Sequence, residues 1–280
     1  AKGYLEQMIT DKGGNVIGVP GYSGYLAFWV NQKIMDNAGI TAIDTKEDFK
    51  KYMSAASGNG TYGYGGSWEK TYVFNEIAQF VNMFGGDYFD WTRPENKEAI
   101  QFLYDMVKNN ETPIDQIADK YEQMNPKAND GKYGCWFMWG LGSDYQKAGM
   151  LGDDKIHMAM VPSMTDDGNR AIFTDSWSYV LNSASKNKEA AIKFLKYMAS
   201  EGGMEASYKA FDRYPARKDV AEKVVPDSDP AKEMYSRYAS ECNVKGRPML
   251  PQTMEFITDM GTIYLRKDSK KNNIHTLNVH

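Results

Sequence analysis

Histidine and cysteine are both scarce, with three and two residues in 280. His157 stands alone, His275 and His280 sit in a polar tail, and no Cys or His spacing matches a zinc site. Cys135 lies in an apolar run and Cys242 in a polar one, so two unpaired thiols are expected rather than a bridge. No apolar run approaches the ~20 residues that span a bilayer. There is no excess of basic charge either: 33 Lys and Arg against 37 Asp and Glu give a net charge of -4, and the basic residues are dispersed. That excludes the electrostatic footprint of a nucleic-acid partner. No G-x-S-x-G elbow is present, and the serines lack an identifiable base. Ala1 to Thr10 carries Lys2, Glu6 and Gln7 where a signal peptide needs an apolar region, as a mature or truncated chain would.

Aromatic side chains are plentiful, with 19 Tyr and 6 Trp. Buried Tyr and Trp need hydrogen-bond partners, so either some of these rings face a polar ligand or they line an irregular core with the 17 Met. The length allows two domains. Asn15 to Asn31 is the stretch around which the rest is read. Val16, Ile17 and Val19 favour a strand, Pro20 is expected to stop it, and Leu26 to Val30 begin a second apolar run. Between them, Gly18, Gly21 and Gly24 alternate with Tyr22, Ser23 and Tyr25, which predicts a short linker beside a polar cleft.

Helical periodicity follows in several places. Thr45 to Asp48 reads as a capping box ahead of Phe49, Tyr52, Met53 and Ala56. Thr71 to Phe84 and Pro94 to Val107 each carry an apolar stripe. Gly58 to Gly63 spells G-x-G-x-x-G, but a helix precedes it and a strand follows, the reverse of a dinucleotide site, so a helix-to-strand loop is expected. Tyr133 to Trp139 is short enough for a buried strand. Ile156 to Val161 alternates, turns at Thr165 to Asn169 and returns at Ala171 as a hairpin; the turn lacks the ligand spacing of a calcium loop. Ala191, Phe194, Leu195 and Met198 form a stripe ended by Gly202 and Gly203. Pro230 to Cys242 reads as a helix, and Pro248 to Gln252 leads into another.

Several segments, in one order, resemble the extracellular solute-binding proteins of ABC importers, in their sugar-binding, maltose-binding-protein-like branch. Gly18-Val19-Pro20 with the tyrosine turn and Trp29-Val30-Asn31-Gln32-Lys33 is similar to that family's hinge. Pro94 to Leu103 is similar to its PE-x-x-x-A helix, and Gly131-Lys132 to Gly140 to its GK-x-A-M segment. The most specific match is Ser185-Lys186-Asn187-Lys188-Glu189-Ala190-Ala191 through Tyr197, and Arg213 to Val220 resembles a further crossing between lobes. The Lys- and Asn-rich tail from Arg266 departs from the pattern.

The resemblance implies an α/β chain of the periplasmic-binding-protein type II fold, with two lobes joined by a hinge and the first lobe incomplete. Family members carry a further N-terminal segment of roughly a quarter of their length, and without it exposed apolar surface is expected. The implied division gives 1–19 and 180–227 to a partial N-terminal lobe and 20–179 and 228–280 to the C-terminal lobe. The implied function is capture of a carbohydrate, closure about the hinge and delivery to a membrane permease, without a cofactor, by a monomer that is periplasmic or a membrane-anchored extracellular lipoprotein. The implied contacts are Tyr22, Ser23 and Tyr25 beside the hinge, Trp68 and Glu69, Trp139 and Tyr145, Ser176 and Trp177, and Arg213. Rings would stack on sugar faces, and the polar groups would take hydroxyls. The other readings are a glycoside hydrolase using Glu69 with Asp144 or Asp175, and a structural lobe without ligand.

Overall fold

The computed structural model describes residues 13–140, 142–246 and 255. Its organising element is one long strand, β1 (Gly18–Asn31). Pro20 does not end it. The proline sits opposite Ser178 of the partner strand, and an irregularity between Pro20 and Tyr22 shifts the register, which is how a ladder absorbs a residue with no N–H. The expected linker is therefore strand throughout.

The first half of β1 pairs antiparallel with β5 (Ala171–Val180), while the second half lies between β3 (Tyr133–Trp139) and β4 (Ile156–Ala159), both antiparallel to it. Two parallel strands complete the sheet: β2 (Tyr62–Gly65) beside β3 and β6 (Asn243–Gly246) beside β5. The order is β2-β3-β1-β5-β6, with β4 also on β1, so the sheet is mixed. The expected hairpin is corrected here, because β4 and β5 each pair with a different half of β1 and not with each other.

Ten α-helices are described: α1 (Gln32–Asn37), α2 (Lys46–Ala56), α3 (Val73–Met83), α4 (Pro94–Lys108), α5 (Tyr121–Asn129), α6 (Gly142–Lys147), α7 (Lys188–Met198), α8 (Glu201–Phe211), α9 (Lys218–Val224) and α10 (Pro230–Glu241). The capping box of α2 forms as expected, Thr45 Oγ1 accepting from Asp48 N at 3.1 Å and the Asp48 carboxylate from Thr45 N at 3.0 Å. Helix α3 packs on β5 and α4, and all eleven of its residues are buried. Its polar residues survive burial by bonding the neighbouring strand: the Gln79 side chain donates to Ala171 O at 3.0 Å and accepts from Phe173 N at 2.6 Å.

Leu26 to Val30 form the centre of the core, with Phe49, Tyr64, Phe80, Phe102 and Phe137 in successive ring contacts. Much of the aromatic content is therefore packing. The far end differs. Helix α7 contacts α8 and the end of β5 but has no buried residue, and Phe194 of the expected stripe is 59% exposed. Val16, Ile17 and Val180 are exposed as well. Both cysteines are free thiols. The helix expected after Pro248 and the Lys- and Asn-rich tail lie outside the described residues.

Candidate functional site

A cleft of about 360 Å³ opens where three segments cross: β1 at Tyr22 to Gly24, β5 at Trp177, and the chain leaving α8 at Asp212 to Tyr214. The third segment is tied to the first, with Ser23 N donating to Tyr214 O at 3.0 Å and a bridge between Tyr22 and Pro215. Asp212 makes the turn possible by taking a left-handed conformation at φ 56°. Trp139 at the end of β3 and the first residues of α3 and α5 complete the walls.

The register of β1 against β5 sets Tyr22 directly opposite Trp177, on one face of the pair. Their rings stack at 4.8 Å between centroids and 14° between planes. Trp139 meets Trp177 edge to face at 5.9 Å, and the Arg213 guanidinium lies 4.4 Å from the Tyr22 centroid. Burial raises the Tyr22 phenol pKa, with Arg213 opposing the shift. Below the rings, Ser176 Oγ donates to Ser23 Oγ at 3.0 Å. Tyr121 OH accepts from Asn75 Nδ2 at 2.9 Å and from Trp139 Nε1 at 3.0 Å, which ties α3, α5 and the end of β3 together at the wall of the cleft. A concave wall with the exposed Trp177 indole, the half-buried Trp139 and nearby hydroxyl and amide groups suits a hydroxyl-rich, uncharged ligand.

Of the ten anticipated contacts, Tyr22, Ser23, Trp139, Trp177 and Arg213 line this cleft. Tyr25 and Ser176 line an adjoining cavity of about 530 Å³ that shares Ser23, Tyr214 and Tyr235 with it. That cavity is larger, but it takes in no Trp and abuts Val244, two residues before the described strand stops. Trp68 and Tyr145 are elsewhere, and here the expectation needs correcting. Trp68 is buried with Nε1 donating to the Glu76 carboxylate at 2.8 Å; Tyr145 is buried, accepting from Trp136 Nε1 at 2.8 Å and donating to Asn125 at 3.2 Å. Each ring finds its polar partner inside the core, so neither faces the cleft. Glu69 closes its own turn into α3 by accepting from Thr71 N at 2.9 Å.

The carboxylates considered for hydrolysis are similarly engaged. Asp144 accepts from Asn125 at 3.3 Å, Asp175 is buried and accepts from Ser176 N at 2.9 Å, and none of Glu69, Asp144 and Asp175 lines the cleft. Among the described residues no cluster of three or more metal-ligating groups exists, and no helix is long and apolar enough to cross a membrane. Sequence reasoning did not find Tyr72, Asn75, Tyr121 or Tyr235, whose place depends on contacts far along the chain.

Residues 1–205 match the bacterial extracellular solute-binding protein family. The chain belongs to that family. Membership implies a periplasmic or extracellular location. Among curated relatives, the arabinooligosaccharide-binding protein of Halalkalibacterium halodurans is 28% identical over 235 residues, covering 78% of this chain and 51% of the relative. This solute-binding chain thus spans about half the length of that protein. Solved structures share its mixed α/β fold. The maltose-maltodextrin binding protein of Alicyclobacillus acidocaldarius superposes with a TM-score of 0.73 at 16% identity, over 95% of this chain and 70% of that one. A sugar transporter from Arthrobacter chlorophenolicus, solved with bound laminaribiose, gives a TM-score of 0.76 at 16% identity, over 93% and 68%.

Proposed function

We propose that the whole protein captures a neutral oligosaccharide and delivers it to the permease of an ABC transporter. The observation that carries this reading is the Trp139–Trp177 pair, backed by Tyr22 and opening into a cleft at the crossing of three segments. Apolar faces of sugar rings stack on such indoles, while Asn75 and Tyr121, which line the same cleft, take the hydroxyls. The names of the Halalkalibacterium relative and of the laminaribiose-bound structure support a carbohydrate of two or more units. Binding without hydrolysis is favoured because no proposed carboxylate pair faces the cleft.

On this reading residues 20–179 with 228–280 form one lobe, and 1–19 with 180–227 form part of the other. Closure turns about β1, β5 and the crossing after α8, and the closed protein is what the permease receives. It works as a monomer, either periplasmic or anchored outside the cell as a lipoprotein.

Calorimetry against arabino-, malto- and laminari-oligosaccharides tests this. Saturable one-to-one binding is expected with at least one series, and Trp177→Ala should weaken it about tenfold or more, the equivalent of ~1.4 kcal/mol. Steady release of shorter sugars over a time course would replace binding with hydrolysis.

A further inference from the structure

We infer that Tyr22 is a positioning residue: with Arg213 against its ring, it sets the angle of the Trp177 platform and ties that angle to the crossing of the three segments. The inference rests on the reading that the cleft binds sugar. Four groups stand in one row across the cleft: Arg213, Tyr22, Trp177 and Trp139. Arg213 comes from the segment leaving α8, Tyr22 from β1, Trp177 from β5 and Trp139 from the end of β3. Tyr22 has a guanidinium 4.4 Å from its centroid and an indole stacked at 4.8 Å, so its ring packs between protein groups. Among the described residues Arg213 makes no ion pair; the next residues, Tyr214 and Pro215, are tied to β1, and its guanidinium rests on the Tyr22 ring. A rotation of α8 relative to β1 that strains the Ser23–Tyr214 bond and the Tyr22–Pro215 bridge also alters the Arg213–Tyr22 contact and, through the stack, the tilt of Trp177. The platform thereby registers how far the segments have turned.

Three variants of the intact protein test this: Tyr22→Phe, Tyr22→Leu and Arg213→Ala, the last at an exposed residue. Near-ultraviolet circular dichroism without ligand reads the Tyr–Trp stack, and calorimetry reads affinity for whichever oligosaccharide binds the unsubstituted protein. Tyr22→Phe keeps the ring and is expected to preserve the spectrum's shape and hold affinity within about twofold. Tyr22→Leu should abolish the stacked signal and weaken binding about tenfold. Arg213→Ala should weaken binding by less, and it should add nothing to Tyr22→Leu, because both act through one ring. Equal losses from Phe and Leu would mean that the hydroxyl touches sugar, and additive losses would make Arg213 a ligand contact; either overturns the inference. If no sugar binds the unsubstituted protein, the functional reading fails. The spectra still decide the stack: an unchanged spectrum in Tyr22→Leu overturns it.

Discussion

Glu76 lies fully buried in the first turn of α3, accepting from Tyr64 OH at 2.5 Å, Ser67 N at 2.8 Å and Trp68 Nε1 at 2.8 Å. No cation contacts it among the described residues. Desolvation outweighs the three donors and raises its pKa from 4.5 to about 7. The folded state therefore holds this proton more tightly than the unfolded chain, so the group's contribution to stability is greatest below pH 4.5 and is lost as pH rises to about 7. The full span corresponds to roughly 3 kcal/mol. Glu76→Gln should remove that slope: urea midpoints at pH 5 and pH 8 should converge relative to the unsubstituted protein, even though the amide fits the three donors poorly. An unchanged slope would assign the pH dependence to another group. The same carboxylate explains what was illegible at this scale. Trp68 follows a strand and precedes a helix, as a ligand-facing residue does, but no local feature of the sequence says that its partner is Glu76, eight residues on. Tyr22 and Ser23 were placed beside a cleft by the alternation of Gly18, Gly21 and Gly24 with hydroxyl side chains, although the strand runs through Pro20, whereas Trp177 came only from the family resemblance.

Among the elements, the G-x-G-x-x-G run has a mechanical role. Gly58 and Gly60 take φ of 126° and 87° to turn the chain out of α2. Gly63 is needed for closeness: a Cβ there would meet Met53 O at 2.3 Å and Met53 Cα at 2.4 Å, so α2 would have to lift from β2. Gly63→Ala is expected to cost about 1–3 kcal/mol in urea unfolding, because the obstacle is backbone. Gly24→Ala is the control. Its Cβ would find Tyr235 OH at 3.6 Å and Trp139 Cε3 at 3.7 Å, ordinary contacts, and its effect should stay within about 0.5 kcal/mol. Equal costs at both sites would mean that loss of glycine, and not the close approach, sets the penalty. Elements of this kind were largely legible from periodicity and caps. Pairing was not, since β4 and β5 look like a hairpin until β1 is seen to be long enough to take one on each half.

Across the whole molecule, burial is uneven in a way that periodicity alone does not reveal. The patterns of α3 and α7 both announce one apolar face, yet α3 is buried on every side and α7 on none. A stripe shows which face of a helix seeks cover; it carries no information on what provides it. Opening α7 and α8 disturbs the end of β5 and leaves the ring cluster around Phe28, Phe80 and Phe137 intact. The two regions should therefore open at different free energies. In hydrogen exchange on the 280-residue chain, amides of Lys188–Met198 are expected to exchange through a local opening several kcal/mol cheaper than global unfolding, while those of Val73–Met83 exchange only with the global transition. Phe194→Ser should leave the global free energy within about 0.5 kcal/mol, as for an exposed residue. Matching protection in both helices, with a large loss in Phe194→Ser, would show instead that the face of α7 is covered in solution by something outside the described residues.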